Sequence, residues 1–294
     1  MVGEYVSTFL ETDGNVWHIE IDAADKSRFL FADGNALRYN TPDGSIKTVV
    51  GSPAEFGYKA GRPAMFNSIT GFVQMSASDV IVVDRNNHCL RQVDRNTTIV
   101  RPYVGRCQRR GDVLGQNARF SEPWGVYQDI RNPRTLYVTD SKNSAIKIVD
   151  TTTRTAKAFI KDSRMLEPSG LLQTDKLFYL TTSNGVWSFT RQSDLSLVSG
   201  PGDTSRGFSD GLFRSAMYKG NREIIQINET TLAVADSSNH RVRVLDLIRD
   251  NVTSICNGDS GHVNEALLTC SLTYVYSLIS SNDNLYFGEY QRIR

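Results

Sequence analysis

Leu232–Asp246 reads LAVADSSNHRVRVLD, two short apolar runs joined by a polar turn. The first run is a compact strand. Asp236–His240 is rich in residues that hydrogen-bond their own backbone, which marks a turn. Val242 and Val244 alternate with Arg241 and Arg243, the two-residue period of a half-buried strand. The pattern recurs. Val80–Asp94 reads VIVVDRNNHCLRQVD and Leu136–Asp150 reads LYVTDSKNSAIKIVD, while Phe29–Tyr39, Leu177–Phe189 and Leu285–Arg294 are weaker copies. The starts of the six copies are 51, 56, 41, 55 and 53 residues apart. A period of this length predicts a repeat architecture, and it governs every other reading of the chain.

The Asp-x-x-Asn-His turn followed by alternating arginine and aliphatic residues resembles the NHL-repeat family of β-propellers. A second mark precedes the turn: a Gly-containing loop, then Ala-x-aromatic, then a strand with glycine. It appears as Gly61, Ala64 and Phe66 before Gly71, as Gly115, Ala118 and Phe120 before Gly125, and as Asp210, Ala216 and Tyr218. The likeness is strong in repeats two, three and five. Repeats one, four and six lack the Asn-His pair. The resemblance implies an all-β, six-bladed β-propeller of four-stranded antiparallel blades in a single domain over residues 1–294. The blades are expected at about 16–50, 69–104, 124–160, 169–199, 223–256 and 268–294, with Tyr5–Leu10 supplying the fourth strand of the last blade and closing the ring. Closure would remove the free edges at the seam.

At 294 residues the chain can bury a large core. Its formal net charge of +1 provides no overall field for nucleic acid or anionic membrane. No run of eighteen apolar residues is present. Met1–Tyr5 enters strand-like sequence without a secretory leader, as expected of a cytosolic protein or of a piece of a longer precursor. The four cysteines, Cys89, Cys107, Cys256 and Cys270, show no Cys-x-x-Cys spacing, which argues against a zinc ribbon. In the propeller frame, Cys89 lies on the third strand of blade two and Cys107 just after its fourth. Cys256 ends blade five and Cys270 begins blade six. Two disulfides and an oxidising compartment are the expectation, with four buried thiols as the alternative.

The propeller frame puts the long connections 51–68, 105–123, 161–168, 200–222 and 257–267 on one face with the Asp-x-x-Asn-His turns. Loops on a rigid scaffold are where binding residues collect. Tyr58, Arg62, Arg109, Arg110, Arg206 and Phe208 are the candidate contacts, chosen as polar or aromatic loop residues. The sequons at Asn96, Asn228 and Asn251 map to turns of the opposite face, predicting glycans there and leaving the first face open. Arg110–Asp112 spells an integrin-binding tripeptide, but it coincides with a Gly-Asp loop needed for backbone reasons.

Asp84, Asp140 and Asp236 are equivalent repeat positions, better suited to accepting turn N–H groups than to acid catalysis. His88 and His240 are equivalent too, and with His18 and His262 they form no recognisable set of three zinc ligands. The expected function is non-enzymatic recognition of a protein or glycan, without cofactor or metal, by a monomeric domain of a larger secreted or cell-surface protein. Two alternatives remain. One is a cytoplasmic RNA-binding NHL propeller, since loop 105–122 carries four cationic residues against two carboxylates and Tyr58, Phe208 and Tyr218 are aromatic. The other is a metal-dependent lyase or hydrolase resembling the peptide-amidating lyases.

Overall fold

The computed structural model describes residues 6–192, 194–256, 258–261, 263–266, 269–282 and 284–294. The chain is built from short antiparallel strands. β1 (Leu10–Ile21), β2 (Phe29–Asp33), β3 (Ala36–Asn40) and β4 (Ile46–Gly51) form a meander. β5 (Ile69–Gln74), β6 (Asp79–Asp84), β7 (Cys89–Asp94) and β8 (Ile99–Val104) form the next sheet. A third consists of β9 (Pro123–Gln128), β10 (Thr135–Asp140), β11 (Ala145–Asp150) and β12 (Thr155–Lys161). The fourth contains β13 (Leu171–Gln173), β14 (Phe178–Thr182), β15 (Gly185–Phe189) and β16 (Ser196–Ser199). In the fifth, β17 (Gly211–Leu212) is added outside β18 (Asn221–Asn228), β19 (Thr231–Asp236), β20 (Arg241–Asp246) and β21 (Asn251–Ile255).

The expected strands are therefore present, as four-stranded antiparallel blades of a β-propeller, but the blade count is corrected. Among the described residues there are five sheets, not six. β22 (Ser277–Ser281) and β23 (Asn284–Ile293) join the first sheet through β1, in the order β22-β23-β1-β2-β3-β4. The cause is the length of β1. Its start neighbours β23, next to the bond from Phe9 N–H to Ile293 O at 2.9 Å, and Val16–Ile21 pairs with β2. The expected closing strand Tyr5–Leu10 is corrected too: Tyr5 lies outside the described residues, 6–9 are not strand although Phe9 bonds to Ile293, and only Leu10 belongs to β1. Leu268, the expected start of blade six, also lies outside the described residues, and the first strand of that region is β22.

Two compact units divide the chain, Thr12–Asp162 and the N-terminal residues up to Glu11 with Ser163–Arg294. In the first unit, Leu30, Leu37, Val50, Phe66, Phe72 and Val80 form a core between neighbouring sheets, and Ile81, Phe120, Val126 and Val138 form the next. In the other, Val186, Phe213, Tyr218, Val234 and Leu245 do the same. The Ala-x-aromatic motif is thereby explained. Phe66, Phe120 and Tyr218 are fully buried wedges between sheets. Gly105 sits at φ +95, and a Cβ there would lie 2.9 Å from the Phe120 ring. Only glycine suits both the dihedral and the wedge.

Disulfides join Cys89 to Cys107 and Cys256 to Cys270 and leave no free cysteine, which sets aside the four-thiol alternative. A second device ties the first two sheets together. The Asp22 carboxylate is fully buried and accepts Ala24 N–H at 2.9 Å, Arg28 Nε at 2.7 Å and Arg95 Nη1 and Nη2 at 2.6 and 2.8 Å. Burial raises its pKa, but Arg95, Ala24 and Arg28 outweigh burial and hold it at about 2 rather than 3.8.

Unreduced protein should titrate no free thiol, and replacing Cys89 and Cys107 with alanine should cost about 3 kcal/mol in urea denaturation, given the length of the loop closed. The stabilisation from Asp22 is complete above its unfolded pKa and is lost as pH falls through the folded value of about 2. Asp22→Asn should therefore lower Tm at neutral pH, with a deficit that closes as the pH approaches 2.

Candidate functional site

The inter-blade loops are built on a buried clasp that recurs at the β-turns singled out in the sequence. Asp84 Oδ1 accepts the Asn67 N–H at 2.8 Å, and the carboxylate also accepts Asn87 Nδ2 at 2.9 Å and Arg91 Nη1 at 2.9 Å. Asn87 Nδ2 then reaches Gly57 O at 2.8 Å, while Arg91 donates to Met65 O at 3.0 Å and Lys59 O at 2.7 Å. One carboxylate, one amide and one guanidinium thus hold the loop at both ends. Asp236, Asn239 and Arg243 repeat the arrangement: Lys219 N–H and Arg243 Nη1 meet Asp236 at 2.9 and 2.7 Å, and Arg243 also meets Met217 O and Ser209 O. In the third sheet lysine replaces arginine. Lys147 Nζ lies 2.8 Å from Asp140, Asp112 and Arg119 O.

The turn closes in the left-handed region. His88, Ser144 and His240 have φ of 59°, 48° and 56° and each returns its N–H to the residue three before it. The expected turn-serving role of the aspartates and of these two histidines is what the geometry displays. Burial lowers the His88 pKa, and its Nδ1 accepts the Glu122 N–H at 3.2 Å, a bond that needs the unprotonated nitrogen. His262 lies outside the described residues. Among the described residues no group of three His, Cys, Asp or Glu side chains could hold a metal.

Strand alternation misplaced the key cation. Arg243 is fully buried and Val244 only half-buried, the reverse of the expected pattern. The missed signal was positional: Arg91 and Arg243 each stand seven residues after the turn aspartate, as does Lys147.

The loops do not stand free. Gly61 exchanges backbone hydrogen bonds with Val100, Gly115 with Ala156, and Gly211 pairs with Val252, so each loop runs along the outer strand of its own blade. This covers the exposed edge of β8, β12 and β21. The six candidate contacts separate accordingly. Tyr58 is half-buried with the Arg91 guanidinium 4.8 Å from its ring centroid, and Phe208 carries Arg241 at 3.6 Å and Arg243 at 5.0 Å. Both rings lid the clasps. Tyr218 is a buried wedge. Arg110 Nε donates to Ser121 Oγ at 2.7 Å. Arg62, Arg109 and Arg206 are exposed, and the first two share one unit with exposed Phe56, Val113 and Leu114. Of the Arg110–Asp112 tripeptide, Asp112 is bound to Lys147 and to Lys161 at 2.8 and 2.6 Å. Burial raises the Asp112 pKa, but the two lysines outweigh it and hold the group below its ordinary value. Asn96 and Asn228 are exposed, whereas Asn251 is half-buried at the start of β21, paired with Asp246 and Leu212.

No protein-family model matches the sequence, and no curated protein matches it. Solved structures do. An auxiliary nutrient binding protein from Bacteroides ovatus ATCC 8483 is similar over 98% of this chain and 75% of its own, at 15% identity and a TM-score of 0.74. Another of that name, from Bacteroides thetaiotaomicron VPI-5482, covers 97% and 69% at 12% identity and a TM-score of 0.71. A gluconolactonase from Xanthomonas campestris covers 96% and 86% at 10% identity and a TM-score of 0.61. The likeness shows the fold. The neighbours include both binding proteins and an enzyme, so activity has to be argued from side chains.

Arg91→Met leaves Asp84 buried without its cation and should cost about 3–5 kcal/mol in urea denaturation. Arg91→Lys should cost less than half of that, because Lys147 already performs the role in the third sheet.

Proposed function

We propose that this protein is a non-enzymatic recognition module of the NHL-repeat type, acting in a secreted or cell-surface setting and binding a protein or glycan. The observation that carries the reading is the clasp. It spends the recurring polar residues of the second, third and fifth sheets on fixing loops, not on assembling a nucleophile, base and oxyanion site. What the loops leave exposed is a mixture of arginine and large apolar side chains: Arg62, Arg109, Phe56, Val113 and Leu114 in one unit, and Arg206 and Leu212 in the other. Arginine and aromatic residues on a rigid support are the groups that anchor protein interfaces. The two disulfides favour an oxidising compartment. No helix among the described residues is long and apolar enough to cross a membrane. The nutrient-binding neighbours are in keeping with binding in place of catalysis, and glycans at Asn96 and Asn228 fit exposed turns.

The test is a soluble bivalent form of the protein applied to a glycan array and to a panel of secreted and cell-surface ectodomains. Arg62→Glu with Arg109→Glu should abolish the hits found while leaving Tm unchanged. Hits that survive the double reversal would remove these loops from the interface, and a blank result on both panels would overturn the recognition reading.

A further inference from the structure

The end of the first two sheets opposite the clasps contains a cavity of about 310 Å³, lined in part by Arg28, Tyr39, Thr48, Arg95, Asn96 and Thr98. It falls wholly within the unit Thr12–Asp162. Its lining carries two arginines and no carboxylate. Two guanidinium groups share the single buried carboxylate of Asp22. Arg95 uses both Nη atoms on that carboxylate and one also on Ala77 O. Arg28 uses only Nε, at 2.7 Å. Its planar group lies over the Tyr39 ring, 4.2 Å from the centroid, and is thereby fixed in orientation. Among the described residues, neither Arg28 Nη nitrogen has a hydrogen-bond partner, and the Tyr39 hydroxyl, Thr48 hydroxyl and Asn96 side-chain amide have none either.

We propose that this cavity binds an acidic monosaccharide, a hydroxylated ring bearing one carboxylate. A held guanidinium with two idle donors matches a carboxylate in fork geometry. The lining itself presents two guanidinium groups and no carboxylate, since Asp22 lies behind them and Asp25 to the side of Arg28, and that face favours an anion. Tyr39, Thr48 and Asn96 supply the mixed donors and acceptors that ring hydroxyls need. The volume is at the lower end for small-ligand sites, which suits one sugar unit. Asn96 is both a lining residue and the asparagine of a sequon, so a glycan attached there would consume the amide and block the site. The site lies apart from the inter-blade loops and does not depend on the recognition reading given above.

Calorimetric titration of the full chain, produced without N-glycosylation, tests this with three probes: sodium glucuronate, glucose and inorganic phosphate. Glucuronate should bind saturably and more weakly at high salt, and the other two at least about tenfold more weakly. Arg28→Gln should weaken glucuronate at least about tenfold with Tm little changed, since Asp22 keeps Arg95 and the Ala24 N–H. If that variant fails to fold, Thr48→Val, which breaks no ion pair, should still weaken glucuronate at unchanged Tm. No saturable glucuronate binding, or binding indifferent to both substitutions, overturns the site. Equal binding of phosphate or glucose overturns its assignment to an acidic sugar.

Discussion

A carboxylate without water must be given donors, and the way this chain supplies them determines most of its structure. Asp84, Asp140 and Asp236 are each completely buried. Isolated ionised carboxylates there would be prohibitive. Each is surrounded by a backbone N–H from the arriving loop, the amide of the turn asparagine and a cation from the following strand. Those donors come from segments that are separate in sequence, so satisfying the charge brings strand, turn and loop to one point. The gain is specificity more than stability, because a well-packed apolar substitute could be equally stable while leaving the loop undirected. The clasp varies with blade. Arg38 pairs with Asp33 at 2.6 Å in the first sheet, and Arg294 reaches Glu289 at 3.4 Å near the C-terminus. In the fourth sheet Thr182 ends β14 where the others have aspartate, and Arg164 instead lies 5.5 Å from the Trp187 ring centroid.

The parts of the fold legible in the sequence are those fixed by local sterics. The aspartate, the asparagine three residues on and a residue in the left-handed region define the turn within five positions, so the central hairpins of the second, third and fifth sheets follow from reading them. Ala-x-aromatic marks the wedge for the same reason: a small residue permits the approach and the ring fills the space. What was not legible depends on distant pairing. The meeting of the two chain ends is expected from the sequence and is seen, but that the same strand β1 runs on to pair with β2, merging the last strands into the first sheet, is encoded by no local pattern. Arg243 was misplaced because alternation treats charge as an outward marker. A buried cation is allowed wherever its counter-ion and carbonyls are already in place, which is a property of the assembled loop.

That lesson extends to the candidate contacts. Tyr58 and Phe208 look like binding aromatics in an isolated loop, yet both serve as covers for buried arginine. Their repeat-equivalent placement, one residue after Gly57 and Gly207, was the available signal. The same asparagine amides that complete the clasps reach the carbonyls of those glycines. A residue that occurs once per repeat serves the repeat. Recognition should then be sought in what differs between repeats, such as Arg62, Arg109 and Leu114, for which no equivalent role recurs.

The same criterion separates the two ends of the sheets in the first unit. At the clasp end the aspartates and loop carbonyls receive donors, although Arg38 Nε, Arg91 Nε and Asp33 Oδ1 are buried without a partner, and the loops are held against the outer strands. At the other end, Asp22 is as thoroughly satisfied as the clasp aspartates, but one of its arginines is not. Holding a guanidinium over a tyrosine ring costs conformational entropy, and its Nη nitrogens make no hydrogen bond within the fold. Polar groups fixed in place beyond what the fold requires are the mark of a surface arranged for a second molecule. Arg28 serves the scaffold through Nε on Asp22, and what it has to offer the cavity is the pair of Nη nitrogens that this bond leaves over.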